Sequence, residues 1–195
     1  MTQPEFQFSL SFTGPDGIGS TPFEEHAEAE RPDVCDDGQD PAVALRRTLG
    51  MFATGVTVIT ALRREEVHGM TANAFMSVSL EPPLVLISVD RRTRMCRLLH
   101  EGRTYGVSVL CESQSGLSDR FAGRPGATEE PRFDVIHDTP LVDGALAHFV
   151  ARISRSYWGG DHSLFLGAVE YARYREDAQP LLFHGGRYER LGQAS

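Results

Sequence analysis

Three short stretches carry side chains whose types and spacing could do chemistry, and each suits binding better than bond cleavage. From His68 to Asp90 the chain reads HGMTANAFMSVSLEPPLVLISVD, and Thr71, Ala72, Asn73 and Ala74 are small where a strand should bury bulk. Small residues in a strand let something flat approach the backbone, either a ligand or a neighbouring subunit or helix. Arg91-Arg92-Thr93-Arg94 precedes Met95 to His100, which starts as a helix. Guanidinium groups beside the free N–H groups of a helix N-terminus suit a phosphate; the alternative is an exposed charged turn. Gly160-Asp161-His162 closes a turn bounded by Tyr157 and Trp158. There His162 is either a ligand contact or a loop histidine satisfied by its neighbours.

Other chemistries lack their machinery. There is no G-x-G-x-x-G after a strand, no Walker motif, no G-x-S-x-G elbow and no H-E-x-x-H helix. Cys35, Cys96 and Cys111 have no C-x-x-C spacing and are an odd number, which supports neither a disulfide framework nor a zinc site.

The elements that position these stretches follow from periodicity. Asp40 caps a predicted helix entered at Pro41, with Val43, Leu45, Leu49 and Phe52 at helical spacing. The β-branched run Thr54 to Thr60, the charged turn Arg63-Arg64-Glu65-Glu66 and the His68 stretch form a hairpin signature, with the Pro82-Pro83 pair as the turn of a strand-turn-strand. Strands are further expected at Tyr105 to Leu110, Phe133 to Ile136, Leu141 to Ile153, Ser163 to Val169, Pro180 to Phe183 and Tyr188 to Leu191. Ser115 to Phe121 reads as a short helix, and the Gly123 to Pro131 loop as mobile. Without a βαβ rhythm, this predicts a mainly β chain: an antiparallel barrel with a few peripheral helices.

At 195 residues, 41% hydrophobic and 24% charged, the chain has single-domain length and globular composition. No signal segment and no apolar run near the roughly 20 residues of a membrane span occur, so no membrane association and a cytoplasmic location are expected. The net charge of −8 is concentrated in residues 1–40, which hold ten acids and one arginine. That leader, polar and rich in Gly and Pro, is expected to be mostly disordered, except that Phe6, Phe8, Leu10 and Phe12 alternate as an edge strand would. The near-neutral remainder, residues 41–195, has no basic face dense enough for nucleic acid.

Five segments together carry a resemblance: FATGVTVIT (Phe52 to Thr60), the whole His68 to Asp90 stretch, RFAG (Arg120 to Gly123), GDHSLFLGAVE (Gly160 to Glu170) and PLLFHGGRYERL (Pro180 to Leu191). In this order and spacing the chain resembles the short-chain flavin reductases, the reductase components of two-component flavin-dependent monooxygenases, including those of phenol and 4-hydroxyphenylacetate hydroxylation. The resemblance covers roughly Pro41 to Leu191 and leaves the acidic leader outside it.

The resemblance implies a homodimeric, FMN-binding split β-barrel that reduces FMN or FAD with NADH, NADPH being the alternative donor, and supplies the reduced flavin to a separate monooxygenase. It implies that Thr71, Ala72, Asn73, Ala74 and Phe75, with Ser77, Val78 and Ser79, contact the flavin ring and ribityl chain. It places Arg92, Thr93, Arg94 and Met95 at the flavin phosphate, counts Phe121 of the RFAG segment among the cofactor-binding positions, and sets Gly160, Asp161 and His162 where the nicotinamide nucleotide docks. His162 is then the residue closest to the catalytic step, by binding rather than by proton transfer. Ser77 and Ser79, two apart on a strand, should share one face. Two rivals keep the flavin: a binding or carrier protein without turnover, and an oxidase or oxygenase with a tightly held cofactor.

Overall fold

The computed structural model describes Gly38 and residues 40–192; the leader pattern at Phe6 to Phe12 and Cys35 lie outside the described residues. Helix α1 (Pro41–Gly50) leads into β1 (Thr54–Gly55), β2 (Thr57–Arg63), β3 (Glu66–Ala72), β4 (Phe75–Leu80) and β5 (Pro83–Asp90). Then come α2 (Arg94–Glu101), β6 (Thr104–Val109), a 3-10 turn at Glu112–Gln114 and α3 (Ser115–Phe121). The chain continues through β7 (Phe133–Ile136), β8 (Thr139–Val142), β9 (Ala147–Gly159), β10 (His162–Tyr174), β11 (Leu182–His184) and β12 (Arg187–Glu189).

Seven of these strands form one antiparallel sheet in the order β3-β2-β6-β9-β10-β5-β4. Its two edges, β3 and β4, are consecutive in the chain and separated by Asn73 and Ala74 alone. Three peptide steps from Ala72 to Phe75 span at most about 11 Å, so the sheet must curl until its edges meet at that corner. No ladder joins β3 to β4 among the described residues. The expected strand-turn-strand over His68 to Asp90 is therefore three strands with two breaks, and the decisive break is Asn73-Ala74 rather than Pro82-Pro83.

Strand β2 explains why its run is so uniformly β-branched: it is buried on both faces. Ile59 and Ala61 join Ile87, Val89, Tyr105 and Phe165 inside the curled sheet, whose core also takes Met95 and Leu99 of α2. Val58, with Val56 just before it, faces a second core with Leu110, Leu117, Val142 and Leu181. That core is covered by the small sheet β1-β11-β12. Thr57 and Thr60 are tolerated in this strand because their hydroxyls donate to the carbonyls of Ala72 and Pro140.

Local signals account for the joints. Asp40 Oδ1 accepts from Ala42 N–H at 2.8 Å, with Pro41 in the first turn of α1. Arg64 and Glu65, at φ 46° and 68°, make the two-residue turn between β2 and β3 without a glycine. A Cβ at Gly69 would overlap the Phe121 ring, so this glycine lets α3 lie against β3.

Several expectations are corrected. The expected Leu141 to Ile153 strand is two: β8 ends at Val142, and β9 runs on to Gly159. Because β9 reaches Gly159, Tyr157 and Trp158 are strand residues, and strand β10 extends well beyond Val169 to Tyr174. The apolar side chains of α1 do not enter a core: Ala44 is its buried residue, while Leu49 and Phe52 are 65% and 76% exposed. Among the described residues no helix is long and apolar enough to cross a membrane, and no group of three His, Cys, Asp or Glu side chains is placed to hold a metal ion.

Candidate functional site

The corner at Asn73-Ala74 has a cavity on each side, and Asn73 lines both. On one side is a cleft of about 200 Å³ bounded by Val56, Thr71, Ala72, Ser118, Arg124 and Tyr188. On the other is a groove of about 410 Å³, between the outer face of β4, β5 and β10 and the end of α1. Leu86, Ser88 and Leu164 form its floor; Phe52, Thr54 and Met76 wall it. Only the groove, of these two, has the volume that ligand sites of the flat aromatic kind usually have.

Strand register extends the groove towards charge. Ser88 pairs with Leu164 and Asp90 with His162 across β5 and β10. Residues two apart on a strand share a face, so Asp90 and His162 lie on the same face as the groove floor, two residues further along each strand. Beyond them come Arg92, Thr93 and the start of α2. The site thus runs from an apolar groove to a polar end.

Each charged group at that end is held. Asp90 grips the Arg92 guanidinium at 2.6 Å and accepts its backbone N–H at 2.8 Å. Those hydrogen bonds hold the Asp90 carboxyl far below the usual carboxylate range. Asp161 Oδ1 lies 2.7 Å from His162 Nδ1, and that contact lowers the Asp161 carboxyl as well. In the neutral imidazole, Nδ1 is then the protonated nitrogen and Nε2 remains as an acceptor. Thr93 Oγ1 caps α2 by accepting from Cys96 N–H at 3.1 Å. The N–H groups of Arg94 and Met95 have no partner within the helix.

The remaining predicted positions separate. Asn73 and Ala74 form the corner, but Phe75 N–H donates to Asn73 O, so it is not a donor the corner can offer. Phe75 lines the groove and also packs against the core, its ring 5.4 Å from Phe149. Thr71 and Ala72 lie towards the smaller cleft, and the Thr71 hydroxyl donates to Ser118 O at 2.7 Å. Ser77 and Ser79 do not share a face. A β-bulge at Val78 pairs Ser77 with Val85 and Ser79 with Leu84, adjacent residues of β5 that point opposite ways. Arg94 is engaged by Glu66 at 2.7 Å. The Met95 side chain is in the core and Phe121 packs on the second core, so neither side chain lines the groove.

Sequence reasoning passed over Thr54 as a site residue. Its buried Oγ1 has no hydrogen-bond partner among the described residues, and the residue lines the groove. An orphaned buried hydroxyl is costly unless something completes it. It sits in a run read only for its strand propensity, so nothing in the periodicity singled it out. Ser88 and Leu164 were missed in the same way.

The smaller cleft carries a network of its own. The Tyr188 hydroxyl is 2.7 Å from Asp119 Oδ1 and 2.8 Å from Ser118 Oγ. With one proton it donates to the carboxylate and accepts from the serine. Arg124 pairs with Asp119 at 2.9 Å and lies over the Tyr188 ring. Burial, first among its causes, raises the Tyr188 phenol above its ordinary range, so it stays protonated as the donor.

Comparison with known proteins fits this geometry. Residues 49–192 match the family described as the flavin reductase like domain. The chain belongs to that family. Among flavin reductases it is 44% identical over 158 residues to an NADH-dependent flavin reductase of a Rhodococcus species, covering 78% of this chain and 89% of that one. It is 42% identical over 151 residues to the reductase component of 4-hydroxyphenylacetate 3-monooxygenase of Thermus thermophilus, covering 76% and 95%. The solved NADH:FAD oxidoreductase SgcE6 of Streptomyces globisporus superposes with a TM-score of 0.75 at 40% identity, over 83% of this chain and all of that one. The flavin reductase match begins at residue 49 and so leaves the acidic leader outside it.

Proposed function

We propose that this protein is an NADH-dependent flavin reductase that passes reduced FMN or FAD to a separate flavin-dependent monooxygenase, and that the curled sheet is a split barrel whose groove holds the flavin. The observation that carries this reading is the continuity of one face: apolar groove floor, then Asp90 and His162, then the capped start of α2. A flavin is a flat apolar ring followed by a polyol and a phosphate, in that order.

The residues fit the group. Thr54 Oγ1 is a buried hydroxyl in need of a partner at the groove wall, and Ser88 offers a second hydroxyl on the floor. Asn73 and Ala74, small and set where two strand ends meet, leave backbone within reach of a ring edge. Arg92, Thr93 and the first N–H groups of α2 suit a phosphate at the polar end, with the Met95 contribution coming from its backbone. Bound there, the flavin supplies the redox chemistry by taking a hydride equivalent from a reduced nicotinamide. The chain's part is to stack, orient and exclude water. His162, fixed by Asp161, presents Nε2 to the nicotinamide nucleotide, and no side chain is required to shuttle a proton.

The exposed apolar surface beside the groove fits a second copy of the chain. Val43, Leu45 and Leu49 of α1, with Met76, Val78 and Leu80 of edge strand β4, are all exposed. Large apolar side chains exposed on an open sheet edge and a neighbouring helix call for a cover. In a homodimer the partner would close both the edge and the groove.

Steady-state oxidation of NADH with added FMN or FAD tests the proposal. Flavin-dependent turnover is expected with at least one of them, and reduced flavin should escape to an acceptor in solution. A protein that stays yellow through dilution and gel filtration, or that turns over neither flavin, sinks it.

A further inference from the structure

The hairpin tip that carries His162 also carries the chain's one tryptophan, and the function proposed above leaves it unused. Trp158 is 54% exposed, although aromatic rings of this size are usually covered. The Arg91 guanidinium sits 4.6 Å from its ring centroid. Arg91 is itself fixed: its N–H donates to Asp161 O at 3.0 Å, and its side chain reaches Gly160 O at 3.5 Å. One face of the indole is therefore backed by a cation, and the ring's remaining exposure belongs to its other face and edges.

Position gives the ring a use. Trp158 pairs with Ser163, and Gly159 with His162, across β9 and β10. Adjacent strand residues point to opposite faces, so Trp158 projects away from the groove, on the side where Ser163 meets His100 of α2 at 3.5 Å. Arg91, which packs on the Trp158 ring, lies three residues before α2 begins, so the approach to α2 has His162 on one face of the hairpin tip and Trp158 on the other. A ligand that leaves the groove with a phosphate at α2 and continues past it meets an exposed aromatic face.

We propose that Trp158, held by Arg91, is a stacking platform for the adenine of a dinucleotide bound at this site. The inference rests on the flavin reductase reading. The adenine can come from FAD or from NADH, and the chemistry of recognition is the same for both: a purine π-face on indole, with Arg91 holding the ring in place.

Trp158→Ala and Trp158→Phe separate the possibilities. Each is compared with the unaltered protein using FAD against FMN, and NADH against reduced nicotinamide mononucleotide, which lacks the adenosine half. Trp158→Ala is expected to raise KM for an adenine-bearing partner roughly tenfold and to leave both mononucleotides within about twofold. Trp158→Phe should recover most of the loss. An effect confined to FAD assigns the platform to the flavin, and one confined to NADH assigns it to the nicotinamide nucleotide. Unchanged dinucleotides, or mononucleotides weakened as much, overturn the proposal; the latter would mean that Trp158 only braces His162. A second readout is independent of turnover. ADP-ribose, which has adenine and pyrophosphate but neither redox ring, should quench the single tryptophan's fluorescence saturably, and ribose 5-phosphate should not. No saturable quenching by ADP-ribose also overturns the platform, whereas loss of flavin turnover would overturn the reductase reading alone.

Discussion

Asp90 and His162 stand directly opposite each other across β5 and β10, yet each is tied to a near neighbour instead. Asp90 is bound to Arg92 at 2.6 Å and His162 to Asp161 at 2.7 Å. The cross-strand pair therefore works as a junction. One residue holds a cation towards the start of α2, and the other is turned by its own carboxylate so that Nε2 is free to meet a ligand.

His162→Ala should raise KM for NADH roughly tenfold, the worth of one good polar contact, and leave KM for flavin within about twofold. Loss of uniform nucleotide binding raises KM without lowering kcat. Asp161→Ala should give a weaker form of the same split. Steady-state NADH oxidation measures both, and equal effects on the two substrates would contradict the role.

For Arg92 the discriminating ligand is riboflavin, which has the ring and ribityl chain but no phosphate. Arg92→Ala should weaken FMN several-fold and spare riboflavin, a modest effect because the guanidinium is exposed and shared with Asp90. The salt dependence of FMN binding should flatten in the variant. If isothermal titration shows riboflavin losing as much as FMN, Arg92 does not address the phosphate.

Thr54→Val keeps the shape and removes the orphaned hydroxyl. Without ligand the melting temperature should hold or rise, since an unpartnered buried polar group costs about 1–3 kcal/mol. Flavin affinity should fall about fivefold, near 1 kcal/mol. A lower melting temperature with unchanged flavin affinity would show that Thr54 serves the fold and not the ligand.

Leu45→Glu combined with Leu80→Glu places charge on the exposed apolar surface without touching the groove lining. Light scattering should give a two-protomer mass for the unaltered chain and a one-protomer mass for the double variant. A one-protomer mass for the unaltered chain removes the dimer.

His68 makes the fold sensitive to acid. Burial, and then the nearby Arg94 charge, lower its pKa from the ordinary 6.5. The unfolded chain therefore takes up the proton first as pH falls. Stability is full above pH of about 6.5, drops as pH falls from there towards the native pKa, and levels off below that value. The melting temperature of His68→Gln should be flatter over that window than that of the unaltered chain; parallel curves would assign the slope to other groups.

The local turns and caps could be read along the chain because their causes are local. Asp40 beside Pro41 caps α1, and the charged turn between β2 and β3 falls at Arg64 and Glu65. The GDH segment and the arginine cluster were recognisable in the same way. Pairing across distance was not: the lengths of β9 and β10, the Val78 bulge that parts Ser77 from Ser79, and the inward turn of Met95 and Phe121 all depend on which strand or helix lies opposite. Residue type and spacing carry no record of that.

By itself, then, the sequence determined a mainly β chain, a helix start rich in cations, and a run of small residues from Thr71 to Ala74 that suits close approach to backbone. Tertiary structure alone decided why that run matters. Its corner joins the two opposite edges of a seven-stranded sheet, so Asn73 walls two cavities at once, and the unpartnered hydroxyl of Thr54 comes to line one of them. Neither fact is local, because a sheet's curl and register are set by all of its strands together: the edges meet only when every intervening pair is in place.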